Sequence, residues 1–236
     1  MAYDISTVAA AMDRKMMQLE HITTNLANAS TPGFKAEHLQ IMNALQGDNK
    51  PGEDAASLNS LVVDFSRGIP QKTDNPLDLY LQGDGFFTIQ TAEGPAFTRK
   101  GDFTVNRLNQ LVTQAGDPVI GEGGPITVQS GKIHVAADGS VFADENPVGK
   151  LKIVDFVNRQ NLRGAGGGLY IDDGTAGMKK VDKPEISAGA IEASNINVVN
   201  EMVGMIDIQR SFETYQKVIQ TLTDLDKLSV SRVGRV

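Results

Sequence analysis

Glycines, histidines and acid pairs are the residues of this chain whose types and spacing could carry chemistry. Gly164, Gly166 and Gly168 alternate like the opening of a dinucleotide-binding fingerprint, in which close glycines let the backbone approach a pyrophosphate. Position 169 is leucine and Tyr170-Ile171-Asp172-Asp173-Gly174 follows, so neither the third glycine nor the required helix is present. Gly131-Lys132 precedes Ile133, where a phosphate loop needs Ser or Thr, and the upstream glycine is missing. His21, His38 and His134 share no ligand spacing, and no His-Glu-x-x-His element places two imidazoles on one helix face. A Gly-x-Ser-x-Gly elbow is also absent. Asp172-Asp173 and Asp144-Glu145 have the residue types of a glycosidase acid and base. Turn glycines near them instead suggest solvated loop carboxylates, and the spacing around Asp138 and Asp144 does not fit an EF-hand.

Composition excludes more. The 236 residues contain 0 Cys and 0 Trp, which removes disulfides, cysteine-ligated metals and thiol catalysis. With 22 Lys+Arg against 29 Asp+Glu, the net charge of -7 lacks the basic field of a nucleic-acid binder. No apolar run approaches a membrane span, and Met1 to Val8 has no basic n-region ahead of an apolar stretch. The expectation is therefore no catalytic, cofactor-binding or metal residue, no cofactor and no enzyme activity. Nucleic acid, a small-molecule substrate and membrane insertion are not expected either.

The elements explain where the apolar residues go instead. Ile5, Met12, Leu19 and Leu26 recur every seven residues, with Val8 and Ile22 three positions further on and Ala9, Met16 and Ala29 widening the stripe. This predicts an amphipathic helix capped by Asp4 and ended by Thr31-Pro32-Gly33. Near the other end, Val198, Met205, Phe212 and Ile219 form a second such series, with Ile208, Tyr215 and Leu222 as its companions. Val199, Met202, Ile206, Leu225 and Leu228 broaden it; Asn195 or Asn197 is its candidate cap, and Glu201 suits the positive end of its dipole. Gly204 interrupts this run at about 1 kcal/mol relative to Ala, which is tolerable where a neighbour packs close to the backbone.

Between the helices the pattern is β. Leu77, Leu79 and Leu81 alternate with polar residues, Gly83-Asp84-Gly85 turns the chain, and Phe86–Gln90 starts the next strand. Further short strands are expected at 103–105, 110–113, 126–128, 132–135, 140–143 and 151–157, with Gly164–Gly168 as a flexible loop. The expected fold is α+β, with terminal helices pairing as a coiled coil around a mostly antiparallel all-β domain. Its expected divisions are 1–34 (N-terminal helix), 35–74 (extended connector), 75–180 (β-domain) and 181–236 (return segment and C-terminal helix). Two runs of equal period so far apart in sequence read as coiled-coil partners or as an oligomerisation surface. If their partners lie in other molecules, the helices of the isolated monomer would fray until assembly.

Three separated segments, in order, resemble the flagellar rod and hook proteins. They are Thr24-Asn25-Leu26-Ala27-Asn28-Ala29-Ser30-Thr31-Pro32-Gly33-Phe34-Lys35, then Asn75-Pro76-Leu77-Asp78 with Gly83-Asp84-Gly85-Phe86-Phe87 and Phe97-Thr98-Arg99-Lys100-Gly101-Asp102-Phe103, and finally Ser194-Asn195-Ile196-Asn197-Val198-Val199 with Gln209-Arg210-Ser211-Phe212-Glu213. Within that family, the short length and the Asn75 and Gly83 segments resemble the proximal rod type, while Asp207-Ile208-Gln209-Arg210 is at least as similar to the distal type. The resemblance implies a structural subunit of the basal-body rod that polymerises in the periplasm and transmits torque from motor to hook. Its implied partners are copies of itself, adjacent rod proteins and the flagellar type III export apparatus, which it passes without a cleaved signal. The implied assembly residues are Ile5, Met12, Leu19, Asn25, Leu26, Asn28, Thr31, Gly33 and Phe34 at one end, and Asn195, Asn197, Glu201, Met202, Met205, Gln209, Arg210, Phe212, Tyr215, Ile219 and Leu222 at the other. Asn25 and Asn28 either find hydrogen-bond partners in the assembled rod or face solvent near the helix end. Two other classes compete with this reading: an oligomeric β-domain binding protein on a helical stalk, and an enzyme using a loop carboxylate pair.

Overall fold

The computed structural model describes residues 5–42, 58–128 and 131–233. Asp4, the expected cap of the first helix, lies outside the described residues, as do residues 43–57 of the expected connector. The architecture is α+β: a 23-residue helix α1 (Ile5–Ala27) and a 36-residue helix α2 (Val198–Val233) bracket a succession of short strands. Contacts cluster into two compact units. One contains Met1–Ala27, Glu37–Val62 and Ile196–Val236; the other contains Asn28–Ala36 and Val63–Asn195.

In the helical unit α1 packs on α2. The pairs Asn25–Glu201 and Ile22–Gly204 run in opposite sequence directions, so the helices are antiparallel. A two-stranded sheet of Glu37–Met42 and Leu58–Val63 accompanies them, although the chain there was expected to be an extended connector. The α2 start is capped as its sequence suggests: Asn197 Oδ1 accepts from Asn200 N at 3.2 Å, and Glu201 lies in the first turn.

The β-unit is built on a six-stranded sheet. Its order is Arg163–Gly166, Leu169–Ile171, Gly94–Thr98, Phe86–Thr91, Ile153–Phe156 and Met178–Lys180, with every neighbouring pair antiparallel. Alternation sends successive residues to opposite faces. Phe87, Ile89 and Ile153 join Leu79, Leu81, Phe103 and Leu111 in one buried cluster, with Leu77 packed against it. Phe86, Phe97, Val154, Phe156 and Tyr170 form the second cluster, where the rings of Phe97 and Phe156 meet at 4.9 Å with edge geometry. Most strands expected from alternation are present, including Ser140–Ala143 with its expected limits. Residues 126–128 contribute an isolated bridge at Thr127 rather than a strand. The glycine run 164–168 is not a loop but part of a hairpin between Arg163–Gly166 and Leu169–Ile171. Its register shifts between Gly164 and Gly166, and Gly166, Gly167 and Gly168 all have positive φ, so glycine supplies the turn and the bulge.

Candidate assembly site

Helical periodicity determines which side chains of the first unit meet. Val8, Met12, Leu19, Ile22 and Leu26 of α1 all sit half-buried, spaced as the heptads predict. On α2, Met205, Phe212, Tyr215, Ile219 and Leu222 do the same, and Ile208 alone among these seam positions is fully buried. Two helices cannot cover both sides of a seam, so most of its apolar residues keep part of their surface in water. Gly204 has the reason its position demands: a Cβ there would come within 3.1 Å of Ile22 Cδ1. The side chains of Ile5, Leu225 and Leu228 lie outside the described residues.

Opposite the seam α2 is apolar again. Val199, Met202, Val203 and Ile206, at helical spacing, are all exposed, Val199 at 68%. Val199, Met202 and Ile206 therefore form a second face instead of broadening the first. Gln209 and Arg210 follow them and are exposed too. On α1 the exposed stripe runs through Asp13, Met16, Met17, Glu20 and Thr23.

Asn25 has partners within its own unit. It is 1% exposed; its Oδ1 accepts from Glu37 N at 2.9 Å, and its Nδ2 donates to Glu37 O at 2.9 Å and Glu201 Oε1 at 3.2 Å. The side chain thus pairs with a strand residue as another backbone would, holding both Glu37 and Glu201, in the first turn of α2, to the last turns of α1. His21 Nδ1 approaches Glu37 Oε2 at 3.9 Å in the same unit.

The remaining expected residues belong to the β-unit, where they surround a buried ionic knot. After α1, Thr31 N donates to Asn28 O at 3.0 Å and Thr31 Oγ1 to Asn28 Oδ1 at 3.1 Å. Gly33 then turns the chain at φ +66°, and Phe34 is buried. A Cβ on Gly33 would lie 2.5 Å from both Arg99 C and Lys100 N, so the turn presses directly on backbone. Gly33 N donates to Glu192 O at 2.7 Å. Asn195 does not cap α2; its Oδ1 accepts from Ala36 N at 2.8 Å and its Nδ2 donates to Asp64 O at 2.8 Å. Within the β-unit, the chain leaving α1 and the chain leading to α2 are therefore bonded side by side.

At the centre of the knot Glu192 is 1% exposed, Lys35 1% and Arg99 4%. Lys35 Nζ donates to Glu192 Oε1 at 2.5 Å and to Ser66 O at 2.6 Å. Arg99 Nε lies 3.1 Å from Glu192 Oε2, while its Nη1 donates to Gly83 O at 2.9 Å and Gly85 O at 2.8 Å. Gly68 N donates to Glu192 Oε1 at 2.9 Å. Burial pulls both cations below their ordinary pKa values, against the opposing attraction of Glu192. One carboxylate thus faces two buried cations, and the backbone carbonyls of Ser66, Gly83 and Gly85 accept further bonds from them.

Three of the residues considered for catalysis make local structural contacts. Asp172 Oδ1 accepts from Gly174 N and Ala176 N, Asp144 Oδ1 from Lys132 N, and His134 stacks on Phe142 at 4.9 Å. Among the described residues no group of three or more His, Cys, Asp or Glu side chains could hold a metal ion. The knot has almost no signature in the sequence. Its partners are up to 157 residues apart, and the only local signal is a lone glutamate within the small-residue run Ala188-Gly189-Ala190-Ile191-Glu192-Ala193.

Comparison with known proteins covers both units. Residues 80–143 match the family model described as flagellar hook protein FlgE/F/G D1 domain, and residues 187–231 match that of the flagellar basal body rod FlgEFG protein C-terminal. The flagellar basal-body rod protein FlgF of Caulobacter vibrioides is 34% identical over 93% of this chain and 93% of its own length. FlgF of Escherichia coli is 35% identical over 95% of each chain. FlgG of Buchnera aphidicola subsp. Schizaphis graminum is 31% identical over 92% of this chain and 95% of its own. These similarities cover 92–95% of the chain, which belongs to the family of flagellar basal-body rod proteins that includes FlgF and FlgG.

Proposed function

We propose that the chain is an FlgF-type structural subunit of the proximal rod, polymerising through its terminal helices and transmitting torque without catalysing a reaction. The observation that carries this reading is the apolar surface of the helical unit: a seam left half-covered by two helices, and an outer strip at Val199, Met202, Val203 and Ile206. Burying such a strip against neighbouring copies and adjacent rod proteins releases water at about 25 cal/mol per Å2. Head-to-tail contacts that do not close generate a filament, and torque then spreads over many packed helices. Export through the flagellar type III apparatus without a cleaved signal, and residence in the periplasmic rod, complete the proposal. No cofactor, nucleic acid or small-molecule substrate enters it. The FlgG-like relatives support a second reading as a distal-rod subunit, which differs in position along the shaft rather than in mechanism.

Leu26→Asp and Phe212→Asp test the proposal in cells that lack the native chain. Each puts a charge into the seam. The expected result is a protein whose β-unit remains folded but which is absent from isolated basal bodies, with motility lost. Incorporation of both variants at the native level would refute assembly through the seam.

A further inference from the structure

The chain has 8 Met and neither Cys nor Trp, so its thioethers are its most readily oxidised side chains. Their placement is uneven. Met16 is 60% exposed and Met17 43% on the outer stripe of α1, and Met202 is 52% exposed on the outer strip of α2. Met12 and Met205 are half-covered within the seam, and Met178 is 53% exposed on a strand of the β-unit. We propose that Met16, Met17 and Met202 are separate peroxide-sensitive modification sites on the unassembled subunit, and that their sulfoxides prevent it from joining its neighbours. The proposal rests on the reading that the chain assembles through its terminal helices, and it extends the surface buried there from the outer α2 strip to the outer stripe of α1.

The chemistry is a two-electron oxygen transfer from hydrogen peroxide. A sulfur lone pair attacks the terminal peroxide oxygen, and the S–O bond forms as the O–O bond breaks. The departing hydroxide takes up the proton of the transferred oxygen and leaves as water, so sulfur is oxidised and the peroxide reduced. A flexible apolar group becomes a polar one with a strong acceptor oxygen. Beside Met202 on the α2 strip stand Val199, Val203 and Ile206, whose side chains offer no donor. An oxygen buried on that strip loses its water, and no side chain of the strip replaces it. Modification therefore acts before assembly, and a subunit already in place shields its own thioethers.

The test treats the purified full chain with hydrogen peroxide, locates the sulfoxides by peptide mass mapping, and measures the self-assembly threshold by sedimentation. Met16, Met17, Met202 and Met178 should oxidise ahead of Met12 and Met205. The threshold should rise at least about tenfold, equivalent to about 1.4 kcal/mol. Met178→Leu should be as sensitive as the native chain, because its thioether lies off the helices. The triple variant Met16→Leu/Met17→Leu/Met202→Leu should assemble normally before and after peroxide, with Met202→Leu alone giving partial protection. An unchanged threshold for the oxidised native chain would overturn the proposal, as would full sensitivity in the triple variant. Untreated Ile206→Asp separates the two ideas: if it assembles at the native threshold, the assembly reading itself fails, whatever peroxide does.

Discussion

Replacing Glu192 by Gln keeps the shape of the side chain at the centre of the knot and removes its charge. Lys35 and Arg99, 1% and 4% exposed, then face one another with no carboxylate between them. Breaking a buried ion pair by removing one partner costs about 3–5 kcal/mol. The lysine share has a ceiling, because deprotonating an ordinary lysine at pH 7 costs about 5 kcal/mol. Lys35→Met removes one cation and leaves Glu192 facing Arg99, so its cost is mainly the lost bonds to Glu192 Oε1 and Ser66 O, each of which keeps another donor in Gly68 N and Asn195 Nδ2, about 1–2 kcal/mol. For a chain of this size roughly 3 °C accompanies each kcal/mol. Thermal melting of the β-unit followed by circular dichroism should therefore fall by about 10–15 °C in Glu192→Gln and by several-fold less in Lys35→Met. The pH dependence adds a second signature. Lys35 is already lowered from 10.5 by burial, and losing Glu192 lowers it further. The unfolded chain then binds the extra proton, so the stability of Glu192→Gln rises with pH up to about that of free lysine, narrowing the gap to the native chain. A Glu192→Gln midpoint within a few degrees of native, or a larger loss in Lys35→Met, would refute the charge accounting.

Three further outcomes follow from the geometry. Gly33→Ala should cost more than the ~1–2 kcal/mol of a left-handed L-residue, because the new Cβ meets Arg99 and Lys100 backbone at 2.5 Å; denaturant titration measures it. Burial pushes Asp155 up, but hydrogen bonds from Arg159, Phe156 N and Lys179 hold it below the ordinary carboxylate value of 3.8. A lowered folded value gives stability that is present above the unfolded pKa and lost as pH falls through the folded one. Urea midpoints between pH 5 and pH 3 should thus drop more steeply in the native chain than in Asp155→Asn. Gly204→Leu should separate α1 from α2, since even a Cβ approaches Ile22 at 3.1 Å; near-ultraviolet dichroism of the tyrosines and proteolysis of the helices would register the loss.

What was legible in the sequence was local or periodic. Seven-residue spacing placed Leu19, Leu26, Phe212 and Ile219 in the seam, because a helix returns the same face at that interval. Alternation placed Leu77, Leu79 and Leu81 against one cluster. The Gly204 interruption pointed to a close neighbour, which is Ile22. The rest depended on long-range closure. Nothing near Asn25 announces that its amide pairs with Glu37, and nothing near Lys35 announces Glu192. The 164–168 hairpin escaped for another reason, since glycines carry no side-chain alternation from which a strand can be read. Likewise, the apolar residues at the start of α2 looked like one broad face, whereas Val199, Met202 and Ile206 are exposed and Ile208 is buried.

The absence of cysteine makes one accessibility measurement direct. A single Ile206→Cys, at a side chain 48% exposed in the free subunit, gives the chain its sole thiol. Maleimide should label it rapidly in the isolated protein and fail to reach it in intact basal bodies, as burial of the outer α2 face on assembly requires. Equal labelling in both states would contradict assembly through the terminal helices.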